Sequence, residues 1–191
     1  FVEVGKMKVI REIESKAQEI ATYKSNVRRE VEEIQNSNDL TVGAKQRLLS
    51  EARPKVQEQF DRLKSGYLEA VEAARRELYQ DTFGYRPGLR ETPGAREHYG
   101  RLLNEVAGKS TAAIEKMLQN AALAGDTLAA QAILKECHEQ NYHDLAAKCL
   151  EAFPGLQSRY ESLLEFEAAY GARRSPERKL EERMLLSYPK F

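Results

Sequence analysis

Between Met7 and Ile34 apolar residues recur at alternating spacings of three and four, and this pattern constrains the chain more than any other feature. Ile10, Ala17, Lys24 and Val31 take one position of a seven-residue repeat, and Ile13, Ile20, Val27 and Ile34 take another. An apolar period of 3.5 residues lays such side chains along one seam of a helix, which is the geometry of a coiled coil. Lys24 is the polar exception. A polar residue at a seam position selects register or partner at a cost in stability, or else its stem snorkels so that the ammonium reaches water. Both readings stand at this point.

The segment NSNDLT, residues 36–41, replaces this pattern with residues that cap helices and form turns. Thr41 is the expected N-cap of a second helix, along which Leu49, Val56, Phe60, Leu63, Tyr67, Ala70, Ala74 and Leu78 hold one stripe. Pro54 is expected to kink that helix or to mark a late start, because proline lacks an amide hydrogen and crowds the preceding turn. A connection of about six residues between two long helices makes them antiparallel neighbours. The predicted seam therefore comprises Ile10, Ile13, Ile20, Val27, Val31, Ile34, Leu49, Val56, Phe60, Leu63 and Tyr67.

Glycine and proline concentrate in FGYRPGLRETPG, residues 83–94, which reads as an elbow between two parts. Beyond it the apolar pattern predicts shorter helices over 95–107, 110–124, 127–140, 143–153 and 155–170. Each is bounded by a glycine, asparagine or proline break, with Ser110 and Asp126 as N-caps. Residues 127–153 suggest two helices folded back on each other, with Ala129, Ala132, Ile133 and Cys137 facing Leu145, Ala146, Cys149 and Phe153. No second copy recurs at a fixed period, so the pair reads as part of an ordinary bundle and not as a solenoid, which needs about three repeats. The tail ends on apolar Met184, Leu185, Leu186, Tyr188 and Phe191 after a short helix over 178–186. Such an end is tucked onto the protein or offered to a partner. The expected division is thus a hairpin over 1–82, an elbow over 83–94, a compact helical domain over 95–170 and a tail over 171–191. The fold class is all-α, a long antiparallel coiled-coil hairpin followed by a small helical bundle.

Charge excludes some functions. Lys and Arg number 30 and Asp and Glu number 30, so no cationic excess exists to displace counterions from nucleic acid without regard to sequence. No apolar run approaches the roughly 18 residues of a membrane-spanning helix. The first residues, FVEVGKMK, lack the basic, apolar and small-residue parts of a secretory signal, and a start without Met is expected of a chain that is trimmed or that lacks its true N-terminus. Cys137 and Cys149 lie on apolar helix faces, as buried thiols in a reducing compartment do.

Motifs that carry chemistry fail on spacing. VAGKST resembles the end of a phosphate-binding loop, but Leu103 stands where that loop needs its first glycine. Cys137, His138, His143 and Cys149 could approach a zinc ion, yet Cys137 and His138 point about 100° apart on a helix and no CxxC is present. His98 has no nucleophile or carboxylate at a spacing that defines a triad, and paired carboxylates such as Glu165 and Glu167 belong by default to a solvated helix face. No catalytic, cofactor-binding or metal-binding residue is expected, and no cofactor.

LTVGAKQRLLSEARPKV after a heptad helix, the Ala-, Glu- and Arg-rich helix that follows, the turn FGYRPG and GDTLAAQAILKECHEQNYHDLAAKCLEAFPG together resemble small helical proteins of tailed-bacteriophage structural modules. Unlike many scaffolding proteins, the chain is neither strongly acidic nor mainly one long coil. The resemblance implies a non-enzymatic virion component or assembly factor, in the virion or host cytoplasm. It would contact capsid, portal or tail proteins, or further copies of itself; from the sequence no nucleic-acid specificity is evident and no membrane contact is expected. The alternative is an adaptor or chaperone-like module in which the helical domain captures a partner helix, and an enzyme is a third reading that fold alone does not exclude.

Overall fold

A computed structural model describes residues 2–85, 94–171 and 174–190, with side chains described from Ile10 onward. These residues form eight α-helices and one 3-10 turn, with no strand among them. They divide into two compact units, Phe1–Arg75 with Phe166–Phe191, and Arg76–Glu165. The division falls inside two helices, and the tail belongs with the hairpin. From sequence the boundary is expected at 83–94, of which residues 86–93 lie outside the described residues.

In the first unit, α1 (Val2–Asn36) and α2 (Val42–Phe83) pack side by side. At 35 residues, α1 is about 52 Å long at 1.5 Å per residue. The Tyr23 hydroxyl donates to the Val56 carbonyl at 3.2 Å, and the Lys24 ammonium lies 6.0 Å from the centre of the Phe60 ring. Lys45 donates to the Gln35 carbonyl at 2.8 Å. Facing positions climb along α1 as they descend along α2, so the helices are antiparallel. Ile13, Ile20, Val27, Val31, Phe60 and Tyr67 are buried, while Ile10, Ile34, Leu49, Val56 and Leu63 are half-buried. Apolar burial at about 25 cal/mol per Å² holds the pair.

The Thr41 hydroxyl accepts from the Ala44 amide at 3.3 Å and so caps α2. Pro54 sits on the exposed side within α2, which begins at Val42, so proline marks no late start. Near the other end of the first unit, α8 (Pro176–Leu185) starts earlier than the apolar pattern indicates. Ser175 accepts from the Arg178 amide at 3.3 Å, and proline suits the first turn because that amide needs no intrahelical partner.

The second unit is built around α5 (Thr127–Gln140), which packs against α3 (Ala95–Val106), α4 (Thr111–Ala124) and α6 (His143–Ala152). Its alanines allow this close approach: Ala129, Ala130 and Ala132 are buried along with Ile133, Leu134 and Cys137. Ser110 and Asp126 cap α4 and α5 through the amides of Ala113 and Ala129. The two helices end on left-handed residues, Gly125 at φ 64° and Asn141 at φ 63°. The next amide in each case bonds back to close the last turn, Asp126 to Ala121 and Tyr142 to Cys137. The helix expected over 155–170 is instead a 3-10 turn, Pro154–Leu156, followed by α7 (Gln157–Tyr170). Pro154 favours the tight turn because it fixes φ and donates no hydrogen bond.

Candidate functional site

The most elaborate polar arrangement of the first unit is the seat of the C-terminal segment on the hairpin. Lys24 does not end in open water but meets the chain's own C-terminal segment. Its ammonium donates to the carbonyls of Met184 at 2.7 Å and Ser187 at 2.9 Å, and to the Ser187 hydroxyl at 3.1 Å, with the Leu185 carbonyl at 3.4 Å. These oxygens cluster at the C-terminus of α8, where unpaired carbonyls concentrate partial negative charge, so a cation caps the helix. Partial burial lowers the pKa of Lys24 from its ordinary value.

Beyond the cap, the Tyr188 ring meets Phe60 at 5.2 Å between centroids, tilted by 49°. The Tyr188 hydroxyl donates to Asp61 Oδ1 at 2.6 Å, and Pro189 is buried. The hydrogen bond to Asp61 raises the Tyr188 pKa. A second latch lies at the start of the segment. Arg174 donates to the Tyr170 and Gly171 carbonyls at 2.9 and 3.0 Å, capping α7, and pairs with Glu182 on α8. Nearby Tyr67 is pushed up to about 12 by burial, with the Glu182 carboxylate adding to the effect.

The segment leaves a groove of about 860 Å³ on its α1 side, bordered by Lys24, Arg28, Val31, Gln35, Ser187 and Tyr188. Another of about 260 Å³ lies toward Arg53, Val56 and Gln57. Of the apolar tail residues, Met184 and Tyr188 remain 64% and 47% exposed, whereas Leu185 and Leu186 are half-buried. Phe191 lies outside the described residues. Leu180, one turn before Met184, is also exposed, so α8 turns an apolar pair outward.

In the second unit the C-terminus of α2 is received by side chains that the sequence did not single out. Gln131, buried in α5, donates through Nε2 to the Thr82 carbonyl at 2.9 Å and lies 3.4 Å from that of Gly84. Tyr99 of α3 donates its hydroxyl to the Phe83 carbonyl, and its pKa is pushed up to about 12 by burial. Buried Glu136 accepts the Gly108 amide at 2.9 Å. These groups satisfy main-chain atoms that would be costly to bury unpaired.

Arrangements able to perform chemistry are sparse among the described residues. Cys137 and Cys149 are buried free thiols. Burial, the largest cause in each case, pushes them up to about 11 and 12, which disfavours the nucleophilic thiolate. His98 Nε2 stands 3.9 Å from Asp126 Oδ2. His138 packs among Tyr79, Phe83 and Tyr160. Among the described residues, no group of three or more His, Cys, Asp or Glu could hold a metal ion, and no helix is long and apolar enough to cross a membrane. Comparison with known protein families, curated proteins and solved structures finds no match to this chain.

Proposed function

We propose that this chain is a non-enzymatic structural or assembly protein that works through its helical surfaces, as a virion component contacting capsid, portal or tail proteins of a tailed bacteriophage. The observation that carries the structural reading is the hairpin. Its seam is closed internally around Ile13, Ile20 and Phe60, yet Leu48, Leu68, Leu180, Met184 and Tyr188 in the same unit remain exposed. Large apolar side chains on the outside of a unit whose seam is already closed suit protein contacts. The phage assignment draws on the resemblance of the segments around residues 40–56 and 125–155 to structural-module proteins. Light scattering at rising concentration tests the assembly reading, which expects ordered association of many copies. A species fixed at one or two copies at every concentration would replace it with the adaptor reading. That second reading is favoured by Leu123 of α4, which is 89% exposed in the second unit.

A further inference from the structure

We propose that the seat formed by Lys24, Phe60 and Asp61 is a docking site for the C-terminal segment of a second copy of this chain, which displaces the chain's own. The inference rests on the assembly reading and names a partner for it.

Three observations converge. First, the segment is held more lightly than the seam: α8 packs against α1, yet none of its ten residues is fully buried, in contrast to Ile13, Ile20 and Phe60 at 0% exposure. Its attachment includes the packing of α8 on α1, half-buried Leu185 and Leu186, the Lys24 cap, the Tyr188 contacts and buried Pro189. Detachment uncovers Leu185, Leu186 and Pro189, and leaves the Lys24 ammonium without its four oxygen neighbours and Phe60 without its ring partner.

Second, the seat has a definite chemistry. An ammonium takes the carbonyls ending a helix, an aromatic ring takes an aromatic ring one turn beyond, and a carboxylate takes that ring's hydroxyl. The fitting ligand is a helix end running into Ser-Tyr-Pro, which this chain carries as Ser187, Tyr188 and Pro189. A second copy reproduces each contact, so exchange replaces every bond by its equivalent.

Third, equal numbers of acidic and basic residues, 30 of each, leave no net charge to hold copies apart at long range. The groove of about 860 Å³ beside the segment leaves open space along Arg28, Val31 and Gln35.

Two full-length variants test the exchange. Lys24→Met spoils the seat and keeps the segment; Tyr188→Ala with Pro189→Gly spoils the segment and keeps the seat. Each is labelled with one of two fluorophores, and circular dichroism checks that both retain their helix content. Mixed at equal concentration, they are expected to give energy transfer at least several-fold above that of either variant labelled with both dyes alone. The mixture should also contain a species of twice the 21.7 kDa chain mass. No excess transfer on mixing, with both variants helical, overturns the proposal. Should Lys24→Met fail to fold, Asp61→Asn with Phe60→Leu replaces it as the seat variant, with the same two outcomes. Many-copy association that persists without excess transfer would sink the exchange and leave the assembly reading standing through another face.

Discussion

Replacing Lys24 by Met removes the charge at the α8 terminus and keeps a flexible apolar side chain against Phe60. The ammonium makes bonds of 2.7 and 2.9 Å to two main-chain carbonyls. A hydrogen bond from a charged donor contributes about 1.5–3 kcal/mol when well buried, but Lys24 is half-buried and water replaces part of what is lost. Removing the ammonium also relieves its desolvation, and a thioether near a ring recovers part of the cation–π attraction. The net loss is about 1–2 kcal/mol, confined to the segment, which corresponds to roughly 5- to 30-fold. Native-state hydrogen exchange reads this directly, because amides near the end of α8, such as Leu186 bonded to Glu182 at 2.8 Å, open when the segment detaches. Exchange at residues 183–186 is expected to accelerate by that factor while amides around Ile13 and Ile20 keep their rates. Unchanged rates at 183–186, or equal acceleration throughout α1 and α2, would refute the assignment of Lys24 as the cap that holds the segment.

Ile20→Asp places a carboxylate at a seam position with 0% exposure and is expected to cost more than about 4 kcal/mol; unchanged helicity together with unchanged mass would contradict the hairpin. Gln131→Leu leaves the Thr82 carbonyl facing an apolar neighbour and should lower stability by about 1–3 kcal/mol in urea denaturation. A loss below about 0.5 kcal/mol would mean that other groups satisfy the α2 terminus. Both thiols, pushed up to about 11 and 12, stay above an unfolded value of about 8.5. The neutral thiols thus contribute stability that is full below pH of about 8.5 and fades as pH rises through 11 to 12. Denaturant midpoints should fall over that window, and less steeply for Cys137→Ala with Cys149→Ala. The same thiols should resist alkylation at pH 8 until the protein is unfolded, and rapid labelling of the native chain would count against their burial.

Periodicity and caps carried much of the architecture. The heptads of α1, the Thr41 cap and the breaks at Gly125 and Asn141 are local, and local spacing suffices to place them. Lys24 marks the limit of that method. Its departure from the apolar pattern was visible, but its partners are backbone oxygens of residues 184–187, and every residue type carries a carbonyl. Gln131 and Tyr99 carry no sequence signature for the same reason, since each also serves main-chain oxygens. The apolar tail was legible as a sticky segment, but its seat was not, because Phe60 and Asp61 have no sequence signature that pairs them with Tyr188. Helix continuity across 75–76 and 165–166 also hides the division into units, which follows packing and leaves no glycine or proline behind.

Because facing positions in the hairpin shift in opposite directions along the two arms, its reach is adjustable in matched steps. Seven residues deleted from each arm between the Lys24–Phe60 level and the turn would shorten the rod by about 10 Å and return every remaining side chain to its former face. An unmatched deletion of one or two residues in either arm would instead rotate part of the stripe out of register. Natural variation in length, where it exists in this region, should therefore occur as paired heptads or be confined to the turn at 37–41.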